Sequence, residues 1–422
     1  MTTILSIFLQ VALWAISQRP NLAAGSLCGY YPQDTLTSPA PRGYEPFYIS
    51  HIARHGSRYL SNKDSITFRV ADTLALLSGQ GMLTQDGLSL LEDIRMLRGM
   101  SKGHYGLLTE LGALEHRQIC DRMYRHYKEV FSSDDRKGIY AVSTHTKRVR
   151  KSMEAFTDEL LLHAPALEID KTVFHQDDYP ENRGVYGNHM DREEQDRAKA
   201  QEKSFSSTVK ILRRGYNLKA FTNRIFSDPS AVSPARSKYI ANACFRCMMT
   251  GCLTEPSTMP AMDKYFTAGE LYYLWLSRSM KWARYLNYPD YRDPFTAKRG
   301  GGILMQIIRD ADEAIEPQSH IAASLRFTHD SYMMPLMAAI PLEGTVLDCP
   351  DTEIAEQFQD YNFIYPACNV QLVFYRKHGG RKILVKVLRN EKETLIHGLE
   401  PASGCYYDWE RVKAFWRNRY ND

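Results

Sequence analysis

Short apolar runs alternate with longer ones along most of this chain. Phe47-Tyr48-Ile49-Ser50-His51-Ile52-Ala53, Gly138-Ile139-Tyr140-Ala141-Val142-Ser143 and Ser324-Leu325-Arg326-Phe327 are brief and read as strands. Val149–Leu162 follows the second with helical spacing, and Ser331–Ile340 reads as the helix after the third. This alternation predicts an α/β fold with a central, mostly parallel sheet flanked by helices. Between Leu167 and Arg299 the texture changes to charged runs such as Asp191–Lys203 and Tyr-rich ones such as Leu271–Tyr285. The change predicts an inserted, mainly α-helical lobe over 167–299, dividing the core into 26–166 and 300–422. Near the end, Asn369–Tyr375 and Ile383–Leu388 flank Gly379-Gly380 and read as a β-hairpin.

The first residues form a different pattern. Thr3–Ile16 is almost wholly apolar and is followed by the small run Ala23-Ala24-Gly25, which reads as a secretory signal over residues 1–25. Its ~13 apolar residues fall short of the roughly 20 needed to span a bilayer. The expectation is therefore export, to a periplasm or beyond, with no stable membrane span after removal. With 44% apolar residues in 422, the chain is long enough to bury a large core. Its 53 Lys and Arg against 49 Asp and Glu give a formal charge of +4, too mild to call for nucleic acid. Eight cysteines form an even set, which an oxidising compartment would allow to pair. Cys244, Cys247 and Cys252 are clustered, but they lack a second pair at zinc-site spacing and a nearby histidine, so disulfides or buried thiols are expected and no metal.

Chemistry concentrates at the ends of the three predicted strands. Arg54-His55-Gly56-Ser57-Arg58 follows the first, Lys147, Arg148 and Arg150 the second, and His329-Asp330 the third. In an open parallel sheet the carboxyl ends of the strands form one rim, where ligands bind. Guanidinium forks match phosphate oxygens, and a histidine held among them can attack phosphorus once the anion's charge is neutralised. Asp330, beside His329, is placed to protonate a departing alkoxide and then to activate water. The arginines neutralise charge as magnesium does in other phosphoryl transfers, so no cofactor is expected.

The surrounding residues divide between contact and structure. Ser61, Lys63, His145, Lys147 and Arg150 are candidates for a substrate's outer phosphates, with solvent exposure as the alternative for each. His51 shares a strand face with the His55 position and is expected to be a satisfied core histidine. Gly300-Gly301-Gly302 lacks the Gly-Lys-Ser/Thr ending of a P-loop and reads as a flexible joint.

These motifs resemble the histidine acid phosphatases, the larger branch of the histidine phosphatase superfamily, which includes phytases and multiple inositol polyphosphate phosphatases. The resemblance covers most of the chain. Arg54–Arg58 matches R-H-G-x-R; Leu108-Thr109-Glu110-Leu111-Gly112 with His116 resembles L-T-x-x-G-x-x-x-H; Thr328-His329-Asp330 resembles the H-D pair. Arg148, in RVRKSMEAF, resembles the distal phosphate-binding arginine. The resemblance implies His55 as nucleophile, Arg54, Arg58, Arg148 and His329 as phosphate ligands, and Asp330 as proton donor, beneath a helical lobe. Val387-Leu388-Arg389-Asn390-Glu391-Lys392 is similar to a stretch in the inositol polyphosphate phosphatases, whereas His329-Asp330 follows phytases and acid phosphatases rather than the H-A-E usual in that group. The expected activity is phosphomonoester hydrolysis on phytate or another inositol polyphosphate. The alternatives are a broad acid phosphatase acting on sugar phosphates and nucleotides, and a non-catalytic phosphate-binding protein.

Overall fold

The β-branched and aromatic runs pair into one mixed sheet. The computed structural model describes residues 11–31, 38–61, 64–178, 181–253, 261–286 and 298–420. Its strands are β1 (Tyr44–Arg54), β2 (Gly138–Thr144), β3 (Glu168–Phe174), β4 (Ile321–Thr328), β5 (Asn369–Lys377), β6 (Ile383–Arg389), β7 (Lys392–Glu393) and β8 (Tyr406–Asp408). The order is β3-β2-β4-β1-β5-β6-β7, with β8 also pairing β6. The first four are mutually parallel, and the β5–β6 hairpin adds antiparallel strands beyond β1.

Register sets the strand ends level. Arg54 of β1 pairs with Thr328 of β4, and Ser143 of β2 pairs with Phe327, so the three chemically loaded termini reach the same rim. Side chains alternate across β1. Ile49 and Ala53 face a layer made by the helices Glu110–His126 and Lys147–His163, while Tyr48 and Ile52 face the layer that includes Lys298–Ile315 and Asp330–Ala339. Both faces are covered, which is why β1 is buried from Phe47 to Arg54.

Several boundaries differ from the expectation. β3 lies within 167–299 yet joins the sheet as a parallel edge strand, so the helical lobe begins after it. Its sequence, Glu168-Ile169-Asp170-Lys171-Thr172-Val173-Phe174, mixes charged and apolar residues because an edge strand leaves much of its surface to solvent. The lobe contains the helices Arg192–Leu212, Lys219–Ile225, Pro234–Met248 and Ala268–Ala283. Earlier helices, Val70–Gly79 and Gln85–Ser101, share its apolar core through Leu74, Leu90 and Ile94.

The triple glycine is helix rather than joint, in the first turn of Lys298–Ile315. A Cβ on Gly300 would lie 2.5 Å from the Pro335 carbonyl oxygen, so glycine allows this helix to press against Asp330–Ala339. Residues 1–10 of the expected signal lie outside the described residues. The remainder forms a helix, Val11–Gln18, and a 3-10 segment, Pro20–Leu27. Ala12, Ile16, Leu22, Ala23 and Ala24 are buried in the same core as the lobe. All eight cysteines are free thiols. Among the described residues no helix is long and apolar enough to cross a membrane.

Candidate active site

The turn after β1 is locked by backbone contacts that explain its glycine. A Cβ on Gly56 would stand 2.2 Å from the Gly112 carbonyl oxygen, and one on Gly112 would stand 2.2 Å from that of Ser57. Two glycines thus let the helix Glu110–His126 abut the turn. Thr109 caps that helix by accepting the Gly112 N–H at 3.0 Å, and its own hydroxyl donates to the Ser57 carbonyl at 3.0 Å. Glu115, one turn further on, accepts the Ser57 N–H and hydroxyl at 2.7 Å each and the Tyr30 N–H at 3.0 Å. Burial raises the Glu115 carboxyl above its ordinary range, against the opposing effect of these bonds.

This frame fixes His55. Its Nδ1 lies 2.8 Å from the Gly56 carbonyl, which can only accept, so Nδ1 carries the proton and Nε2 keeps its lone pair. Burial, followed by Arg148, Arg54, His329 and Arg58, pushes its pKa well below the ordinary histidine value. The ring is therefore neutral and nucleophilic at mildly acid to neutral pH. The His329 ring sits edge-on to it at 5.6 Å. Arg148 Nη2 approaches His329 Nδ1 at 3.4 Å, and Thr144 and Thr146 hydroxyls lie 3.2 and 3.3 Å from Nε2. Burial and the neighbouring Arg148 lower His329 to about 3.

Arg54 is the buried hinge of the site. Its Nη1 donates to the carbonyls of Ser26 and Ile364, each at 2.6 Å, and its Nη2 pairs with Asp330 at 2.8 Å. Burial raises the Asp330 carboxyl, but Arg54, His329 and Arg58 outweigh it and the net shift is downward. Arg148 is lowered to about 10 by burial and the crowding of Arg58 and Arg54. Among the described residues, Nε of Arg54 and of Arg148 are buried donors without a hydrogen-bond partner. Such donors, concentrated among like charges, call for an anion.

Outside these six residues the geometry departs from the sequence reading. Lys147, Arg150 and His145 are exposed, and neither they nor Ser61 line the cleft beside Arg54, which Arg54, Arg58 and Asp330 line but His55, Arg148 and His329 do not; Lys63 lies outside the described residues. His145 instead stacks on His175 at 4.6 Å and meets the Tyr186 hydroxyl at 2.8 Å. His51 is fully buried on Phe156, as expected of a core residue, yet neither ring nitrogen has a partner among the described residues. The cleft, of about 310 Å³, is lined by Arg54, Arg58 and Asp330 together with Arg246, Arg278, Lys281 and Arg284 of the lobe. Those four were missed by sequence reasoning. Their one signal is Arg278 and Lys281 at i, i+3, the two cations of a helix rich in apolar residues.

The sequence profile of the histidine phosphatase superfamily (branch 2) matches residues 49–390. Among curated proteins none matches the chain. Among solved structures, the Bifidobacterium longum multiple inositol polyphosphate phosphatase in complex with inositol hexasulfate superposes with a TM-score of 0.69 at 16% identity, covering 94% of this chain and 98% of that one. The phytase from D. castellii gives a TM-score of 0.67 at 13% identity, with 94% and 85% covered. That from Klebsiella sp ASR1 gives 0.54 at 12%, with 91% and 96% covered. These likenesses establish a shared fold. The profile match, spanning β1 to the end of the β5–β6 hairpin and every residue of the rim, shows that the chain belongs to branch 2 of the histidine phosphatase superfamily and is a phosphoric monoester hydrolase.

Proposed function

We propose that this hydrolase acts on inositol polyphosphates through a phosphohistidine formed on His55. The observation that carries the reading is the cleft, where six cations, Arg54, Arg58, Arg246, Arg278, Lys281 and Arg284, stand against one carboxylate, Asp330. Two of these and Arg148 suffice for one phosphoryl group. Four more along the lobe wall suit an ester that carries further phosphates around a small ring.

In the proposed reaction His55 Nε2 attacks phosphorus, forming the N–P bond as the P–O ester bond breaks. The leaving alkoxide takes a proton from Asp330. That carboxyl is ionised in the free site, paired with Arg54. An ester arriving as its monoanion brings the missing proton, and the like charge of the bound phosphate keeps it on Asp330. Water then attacks the phosphohistidine with Asp330 as base, releasing phosphate and restoring neutral His55. We further propose export, with Ala23-Ala24-Gly25 not serving as the cut, because Leu22–Leu27 packs in the core and Ser26 holds Arg54.

Phosphate release from phytate and from p-nitrophenyl phosphate tests the proposal. His55→Ala should lose turnover on both. Lys281→Ala with Arg284→Ala should raise KM for phytate by about 100-fold or more, at 1.5–3 kcal/mol for each of the two lost charged hydrogen bonds, while leaving p-nitrophenyl phosphate within about twofold. Equal effects on the two esters would refute the polyphosphate assignment and leave a general phosphatase.

A further inference from the structure

The first turn of Lys298–Ile315 lines a second polar cavity, of about 380 Å³, that shares no residue with the active-site cleft. Tyr186 forms part of its wall and packs edge-on against Tyr332, whose ring lies 6.5 Å from that of His329. Lys298, Arg299 and Arg309 line it against one carboxylate, Glu194. Glycine is needed there for shape, since a Cβ on Gly302 would lie 2.1 Å from Asn188 Oδ1, and Asn188 also lines the cavity.

Asn182 supplies an independent observation. It lines the cavity and is only 3% exposed. Its Oδ1 accepts the Gly184 N–H at 3.0 Å, while Nδ2 has no partner among the described residues. Asn188 Oδ1 in the same wall is a buried acceptor also without a partner among the described residues, so an occupant that both accepts and donates, as a hydrogen phosphate does, satisfies the pair.

We propose that this cavity is a second anion site, for a tetrahedral oxyanion of the phosphate class, either free orthophosphate or a phosphate group carried on an ester. The site is distinct from the cleft in which the ester is cleaved. Equilibrium dialysis of the full chain against labelled orthophosphate should give two bound per chain. Lys298→Glu with Arg309→Gln should weaken one of them by at least about tenfold and leave p-nitrophenyl phosphate turnover unchanged, which also reports that the variant is folded. Arg148→Ala should remove the other. If orthophosphate fills one site only, dialysis with inositol hexasulfate separates the two sources, because a second equivalent lost in Lys298→Glu/Arg309→Gln assigns the cavity to an ester-borne group. One equivalent with either ligand, unaltered by that double variant, would overturn the proposal and assign the cavity to water.

Discussion

At the residue scale, three buried histidines within one motif neighbourhood have two physical fates. His55 is neutral because burial, reinforced by the surrounding cations, disfavours its protonated form. His51 and His116 lie beneath it, both fully buried, both against Phe327, and both lowered to about 3, chiefly by burial. Their sign in acid is unfavourable. The unfolded chain takes up a proton at each as pH falls through 6.5, and the folded chain does not until about 3, so stability is full above 6.5 and declines below it. Each contributes up to about 1.4 kcal/mol per pH unit in that window. Thermal unfolding between pH 7 and 4.5 should show this acid limb, and His51→Phe should make it shallower by one proton's worth; parallel limbs would refute the assignment. Asp330 titrates with the opposite logic. Its depressed pKa keeps it ionised in the free site, so kcat/KM should fall about tenfold per unit above the ester's second ionisation near 6, where the proton-carrying monoanion disappears. Asp330→Asn should flatten that fall and slow alkyl phosphates more than p-nitrophenyl phosphate, because the aryl leaving group needs no acid.

Elements turn those residues into a site. The end of β1 delivers Arg54 and His55, but the turn is shaped from outside, by the N-terminus of Glu110–His126 pressed into it through Gly56 and Gly112. Gly112→Ala places a methyl 2.2 Å from a backbone oxygen that cannot move without moving His55. A displacement of about 1 Å at a reacting group costs on the order of 100-fold in rate, so kcat should fall by that much while the fold survives. Gly99→Ala, in Gln85–Ser101 with open space around it, is the control and should be neutral or slightly stabilising in the same denaturation and turnover assays. This division also explains what the sequence made legible. Arg54, His55, Arg58, Arg148, His329 and Asp330 were readable because three level strand ends carry them, and strand ends follow from local pattern. Lys147 and Arg150 flank Arg148 on one helix, where successive residues point about 100° apart, and only Arg148 faces the site. Glu115 looked like any helical carboxylate because its role depends on a turn nearly 60 positions earlier.

Over the whole molecule, the least legible feature is how the lobe, the core and the first residues depend on one another. Composition separated the lobe from the core but gave no sign that Arg246, Arg278, Lys281 and Arg284 would converge on the strand rim, since that follows from how two helices lie across it. Nor did it show that a run of small residues resembling a cleavage site would be core. Asp360 joins these parts. It is fully buried, accepts the Trp275 indole N–H of the lobe at 2.8 Å and the Ser26 N–H at 3.0 Å, and its own N–H donates to Ser279 at 3.2 Å. Ser26 passes the constraint on, because its carbonyl holds the Arg54 guanidinium that pairs with Asp330. Asp360→Asn keeps the shape but sets an amide donor against one of two N–H groups, costing about 1–3 kcal/mol as a buried pair is broken. If the segment positions Arg54, the variant should lose more than stability: KM for p-nitrophenyl phosphate should rise at temperatures where circular dichroism shows it fully folded. A lowered melting temperature with KM unchanged would mean that Asp360 anchors the lobe alone, and that Arg54 is held well enough by Ile364 and Asp330.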